Sequence, residues 1–397
     1  SLEISEQIGN IKGKAATLNN MAQVIAQQGD IPKAFALWEQ SLEISEQIGN
    51  IKGKAATLNN MAQVIAQQGD ISKAFALWEQ SLEIKEQIGD VKSKATTLNN
   101  MAQVIAQQGN IPKAIALWEQ SLEIKEQIGD VKGKATTLNN MAQVIADQGD
   151  IPKAITLWEQ SLEIEEQIGD AQSKATTLNN IAQVIAQQGD IPKAIALWEE
   201  SLEIIEQVGD IVGKAITLNN MAAVFVNQGE ISKAIALWEE VVSTLAQIRA
   251  YGDLVTVLSN LCVVDESNGL VYLAQAIWLT LRIQTPLAQT IQLIRVFYNR
   301  IPQADELEAL LGATAIFFCN DRGEGHPQLE EFQGHSLTMI SGAAGRQGIE
   351  TQEVFGNWYV QERLNDPEYF LPRLNQRLEE IVGDGWLFDH SQVSMGE

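Results

Sequence analysis

The sequence predicts an all-α solenoid of stacked helical hairpins, and three observations carry that expectation. Ser-Leu-Glu-Ile opens at Ser1, Ser41, Ser81, Ser121, Ser161 and Ser201, a strict 40-residue period in six nearly identical copies. Fixed periods of roughly 20–50 residues mark chains in which each unit packs only on its neighbours. Within each copy the apolar residues recur at helical spacing. A glycine followed by an acid or an asparagine punctuates each copy twice, as helix ends and starts do.

Each element follows from those signals. Leu18, Met21, Ala22 and Ile25 fall at i, i+3, i+4 and i+7, the apolar stripe of a first helix, A. Gly29 stops it, Asp30 is an N-cap, and Pro32 lies in the first turn of helix B, where a missing N–H costs little. Helix B should bury Ile31, Ala34, Phe35, Trp38, Leu42 and Ile48. Gly49 ends it, and Asn50 caps the next helix A, as do Asp90, Asp130, Asp170 and Asp210 later. A fading seventh copy keeps Leu258, Asn260, Gly269, Ala274 and Trp278 in register. Before Arg249 every basic residue is Lys and from there on every one is Arg, so composition shifts near the end of the array. Two regions are expected: an array over 1–285 and a C-terminal region over 286–397. The latter abandons the period but reads as helices near 287–300, 303–319, 327–343, 350–364 and 367–382, with His326-Pro327 and Asp366-Pro367 as helix starts. Its expected role is to cap the last repeat's apolar face.

Residues 17–44, TLNNMAQVIAQQGDIPKAFALWEQSLEI, carry a large–small pattern: Leu18, Met21, small Ala22, Ile25, Gly29-Asp30, small Ala34, Trp38 and small Ser41. This pattern resembles the tetratricopeptide repeat (TPR), in a 40-residue variant similar to the repeats of kinesin light chains and bacterial signalling proteins. HEAT-type repeats share the length but lack the glycine-aspartate turn and this alanine placement. The resemblance implies a right-handed superhelical α-solenoid of TPR hairpins with a C-terminal helical cap, a concave groove lined by helix A, and a protein or peptide partner. It also implies what is missing. Family members that clamp a terminal carboxylate place Lys or Arg where this chain has Ala16, Ala56, Thr96, Thr136, Thr176 and Ile216.

Composition narrows the function. A net charge of −24 repels phosphate backbones, which argues against nucleic acid. No apolar run is long enough to span a bilayer and no export leader precedes the repeats, so no membrane role and a cytoplasmic location are expected. The chain starts in mid-pattern at Ser1, as a piece of a longer protein would. Cys262 and Cys319 form no CxxC, and His326, His335 and His390 match no ligand framework, so no metal, no cofactor and no enzymatic activity are expected. NDRGEGH, 320–326, lacks the Lys-Ser or Lys-Thr of a phosphate loop. Recurrent carboxylates such as Glu43 with Glu46 read as solvated helix B charge.

The informative feature is an amide stripe on helix A: Asn19, Asn20, Gln23 and Gln27, recurring as Asn59, Asn60, Gln63 and Gln67; Asn99, Asn100, Gln103 and Gln107; Asn139, Asn140 and Gln143; Asn179, Asn180 and Gln183; and Asn219 and Asn220. Asparagine is a mediocre helix former, so two per unit want a reason. Side-chain amides could clamp an extended peptide, or one asparagine of each pair, Asn20 and its equivalents, could bond neighbouring helices instead. Ala223 breaks the stripe in the sixth unit. Lys14, Lys54, Lys94, Lys134, Lys174 and Lys214 offer a basic edge at helix A starts. Acids gather later, at Glu165, Glu166, Glu199, Glu200, Glu239 and Glu240, an acidity expected to serve solubility first and, as the alternative, a basic partner. The expected function is an interaction scaffold within a larger bacterial signalling protein; the alternative is self-association into a homo-oligomer, or autoinhibition of an absent effector.

Overall fold

The structure, a computed structural model, describes residues 11–283, 287–301, 304–323 and 328–393. Ser1, the expected boundary at 285–286, and His326-Pro327 lie outside the described residues. Each copy folds as two helices: α1 (Ile11–Gln27) and α2 (Ile31–Gln47), α3 (Ile51–Gln67) and α4 (Ile71–Gln87), α5 (Val91–Gln107) and α6 (Ile111–Gln127), α7 (Val131–Asp147) and α8 (Ile151–Ile168). The odd-numbered helix of each pair is helix A. Turns work as the sequence implies. Gly29 sits at φ +90° and Gly49 at +64°, where a Cβ would clash with the backbone. Asp30 accepts the Lys33 N–H at 3.2 Å and Asn50 the Gly53 N–H at 3.2 Å, each cap stabilising its helix by about 1 kcal/mol.

Two interfaces build the array. Inside a hairpin, fully buried Ala22 and Ala34 let the helices approach closely, and Ser41 Oγ donates to the Ala15 carbonyl at 2.9 Å. Ser81, Ser121 and Ser161 repeat that bond at 2.7, 2.8 and 3.0 Å. Between hairpins, Trp38 packs with Met61 of the next unit, and Trp78 with Met101. The cover is visible in the numbers: Met21, with no described hairpin before it, is 41% exposed, whereas Met61 is 8% and Met141 4%. The expected helix B face needs one correction. Ile48 is exposed because it sits past the last turn, while the buried stripe runs Ala34, Trp38, Ser41 and Ser45.

The chain divides into two compact units, 1–188 and 189–397. The first holds α1–α8 and α9 (Ala171–Gln187). The second begins with α10 (Ile191–Val208), continues with α11 (Ile211–Asn227), α12 (Ile231–Gln247), α13 (Tyr251–Val264) and α14 (Gly269–Ile283), and ends in helices off the 40-residue period. These are α15 (Leu287–Arg300), α16 (Asp305–Arg322), α17 (Leu329–Arg346), α18 (351–361) and α19 (Pro367–Val382). The α16 and α17 boundaries fall two or three residues later than expected. The expected helix at 350–364 stops at Gln361 and contains a π-turn, Val354–Trp358. α19 packs on α14 and α16, and Trp278 donates its indole N–H to Glu379 at 3.0 Å. Residues 383–393 return across α14, where the fully buried Gln275 amide donates to the Gly385 carbonyl and accepts the Leu387 N–H, both at 3.0 Å. No strand occurs among the described residues, and no described helix is long and apolar enough to cross a membrane.

Candidate binding surface

The two asparagines of each pair have different jobs. The first turns inward between hairpins: Asn59 Oδ1 accepts from Thr97 at 3.0 Å, and Asn99 Oδ1 from Thr137 at 3.3 Å. Each threonine belongs to the next helix A, so these bonds tie successive units together. In the second unit Asn219 Oδ1 accepts instead from the Trp238 indole at 2.9 Å. There the following hairpin offers Val257, which has no hydroxyl to compete. The indoles of Trp38, Trp78, Trp118 and Trp158 are buried with no partner, since their nearest asparagines are committed elsewhere or turned away. The second asparagine faces outward. Asn20 is exposed, and Asn60, Asn100, Asn140, Asn180 and Asn220 are half-buried. Asn60 also donates to Asn19 at 3.2 Å, linking two units. Both members therefore bond neighbouring helices, the second at Asn60 as the sequence alternative expected and the first, which it left hydrated, at Asn59, Asn99 and Asn139.

A buried position sets the sense of this network, and one of its members, Glu165, was expected among the accessible acids; at 2% exposure it is closed to a basic partner. Helix B residues 45, 85, 125 and 165 are equivalent, fully buried, and differ: Ser45, Lys85, Lys125 and Glu165. Lys85 and Lys125 each donate to the next helix's threonine, Thr97 and Thr137, at 2.5 Å. The polar chain therefore runs lysine to threonine to asparagine. Glu165 reverses it. Its Oε1 accepts from Ser161 at 3.0 Å, Thr177 at 3.1 Å and Asn139 at 3.1 Å, and Asn139 presents its NH2 where Asn59 and Asn99 present a carbonyl. Reversal leaves Asn139 Oδ1 and Glu165 Oε2 buried without partners. Burial pushes the Lys85 ammonium down to about 8 against the pull of Asp90, and it also lowers Lys125. Burial raises the Glu165 carboxyl, and hydrogen bonds from Ser161 and Thr177 only partly offset it. The signal was present in the sequence: among otherwise fixed copies, this position varies, and it lies seven residues after Trp38 on the same helical face.

Two clefts bring stripe residues together in the first unit. One, of about 190 Å³, is lined by Asn59, Asn60, Lys85, Asp90 and Thr97. Burial pulls Asp90 upward, but the Ser93 N–H and Lys52, at 3.1 Å, outweigh it and hold the carboxyl below its ordinary value. The other, of about 310 Å³, joins Gln103 and Gln107 of α5 to Asn140 and Gln143 of α7 over Trp118. Gln23, Gln27, Gln63, Gln67 and Gln183 stand exposed on their helices, and Asn179 is buried.

The chemistry-bearing residues of the tail are placed for packing. Cys319 is buried in α16 and burial raises its thiol, opposite to the activation of a nucleophile. His335 packs edge-on against Tyr298, and burial lowers it; His390 stacks on Trp386. Among the described residues no three His, Cys, Asp or Glu side chains gather to hold a metal ion.

Against known proteins, the tetratricopeptide repeat model matches residues 13–87, 93–167, 133–190 and 173–247, more than half of the chain. No curated protein sequence matches it. Similar solved structures include BtubC from P. vanneervenii, 20% identical, covering 53% of this chain and 88% of that one at a TM-score of 0.47. A signal-transduction ATPase with a tetratricopeptide repeat sensor from Pyrococcus horikoshii is 16% identical and covers 92% of this chain and 50% of that one at 0.48. The apo quorum sensor NprR from B. thuringiensis is 13% identical, covering 94% and 99% at 0.46.

Proposed function

Because the chain belongs to the tetratricopeptide repeat family, we propose that it is an interaction scaffold, not an enzyme, and that it holds an extended segment of a protein or peptide partner across its helix A faces. The observation that carries this is the cleft in which side-chain amides from consecutive hairpins, Gln103, Gln107, Asn140 and Gln143, converge. Amides offer donors and acceptors to a peptide backbone without regard to its sequence. Helices packed about 10 Å apart would meet every third residue of a strand rising about 3.3 Å per residue. One side-chain amide of the chain already bonds backbone in both senses: Gln275 of α14 donates to the Gly385 carbonyl and accepts the Leu387 N–H. Residues 1–285 would be the working array and 286–397 its cap. A docking role in a larger cytoplasmic signalling protein of a bacterium belongs to the same proposal.

The test is selection of peptides from a random nine-residue display library by the full chain, followed by replacement of Asn100, Gln103, Asn140 and Gln143 with Ala. Asn99 and Asn139 are spared because they join hairpins. Loss of captured peptides with the helical circular dichroism unchanged is the expected result; undiminished capture would overturn the amide reading. A mass measurement by light scattering addresses self-association, for which a monomer is the expected outcome.

A further inference from the structure

One residue of the 310 Å³ cleft departs from the repeat. Asp147 closes α7 at a position that is Gln27, Gln67, Gln107, Gln187 and Asn227 in the other copies, so this copy alone exchanges an amide for a carboxylate. Its Oδ1 accepts from Gln143 at 3.0 Å, and among the described residues no cation pairs with it. Of the side chains lining the cleft it is the only charged one; amides, aliphatic residues and Trp118 supply the rest. The fold gains from the exchange only the i,i+4 hydrogen bond from Gln143, and two other effects oppose it. An acid on the last turn of a helix faces the partial negative charge of the carbonyl ends, and Asp is a poorer helix former than Gln.

We propose that this cleft selects a basic side chain, arginine or lysine, in the partner segment, and that Asp147 is the residue that selects it. The inference rests on the scaffold reading above and adds the partner's chemistry. A cation entering the cleft meets one uncompensated carboxylate flanked by the carbonyl oxygens of Gln103, Gln107 and Asn140, acceptors suited to the several N–H donors of a guanidinium or ammonium. An acidic or phosphorylated segment meets no positive group there.

The experiment repeats the display selection with the native chain, with Asp147→Gln and with Asp147→Glu, at low and at high salt. Gln is the native residue at this position in four of the other copies, Gln27, Gln67, Gln107 and Gln187, so this variant keeps the fold. Peptides selected by the native chain are expected to share one basic residue at a fixed place. Each should bind the Gln variant about 10-fold more weakly, keep most of its affinity for the Glu variant, and lose its advantage as salt screens the pair. Arginine-to-citrulline and lysine-to-norleucine peptides should reproduce the loss on the native chain. Selected peptides without a basic preference, or with one that survives Asp147→Gln, would overturn this inference and leave the scaffold reading intact. Failure to select any peptide would overturn both.

Discussion

Glu165 is a buried carboxylate with no cation paired to it among the described residues, and its replacement by an amide should stabilise the array at alkaline pH. The side chain is 2% exposed; Oε1 is satisfied by three donors, but Oε2 and the Asn139 carbonyl oxygen have none. Asp170, the N-cap of α9, disfavours the ionised form and is itself paired with Lys132 of α7 at 2.8 Å. A raised carboxyl pKa means that the folded chain takes up a proton more readily than the unfolded one. Its contribution is therefore fully present below the ordinary glutamate value of 4.5 and is lost as pH rises through the folded value. Glu165→Gln keeps an acceptor, replaces the orphaned Oε2 by an NH2 that can donate to Asn139 Oδ1, and carries no charge. An unsatisfied buried acceptor costs about 1–3 kcal/mol, so the Gln variant should be more stable at pH 8 by about 1–2 kcal/mol and nearly equal to the native chain at pH 4.5. Because arrays open piecewise, hydrogen exchange of peptides from 151–187, measured in both chains across this range, is the suitable assay. The difference between chains isolates Glu165 from every other carboxylate. A difference that stays constant with pH, or grows towards acid, would refute the reasoning.

Three further outcomes follow from the same contacts. Asn59→Ala, which strips Thr97 of its acceptor, should cost about 1 kcal/mol, and Asn100→Ala on the outward face a few tenths at most, measured by chemical denaturation midpoints. Trp238→Phe removes an indole bonded to Asn219 and should destabilise by about 1 kcal/mol more than Trp118→Phe, whose indole N–H has no partner to lose. Gln275→Ala should release residues 383–393, so that limited proteolysis cuts there first while the hairpins of the first unit resist.

The hairpins were legible because local chemistry and the period agree: glycines at positive φ, Asp and Asn caps, and an Ala-Trp-Ser face recur every 40 residues. What escaped depends on contacts that no short window contains. Glu165 reads as one more helix B acid until its place on the Trp158 and Ser161 face is counted. The two asparagines are adjacent in sequence, and only the threonine 38 residues later distinguishes them. Gln275 meets a segment more than a hundred residues away. The π-turn around Gly356 leaves no periodic trace, since an extra residue in a turn looks like ordinary helix composition.

An asparagine amide can be turned over by half a rotation, and in this chain both orientations occur at one equivalent place, answering an ammonium twice and a carboxylate once. These three copies therefore share a joint that mates with either sign of neighbour, whereas Asn219 answers an indole instead. A gene encoding such units could drop or duplicate a whole 120-nucleotide module without creating a mismatched seam, so the number of repeats is free to drift while the joints keep their chemistry.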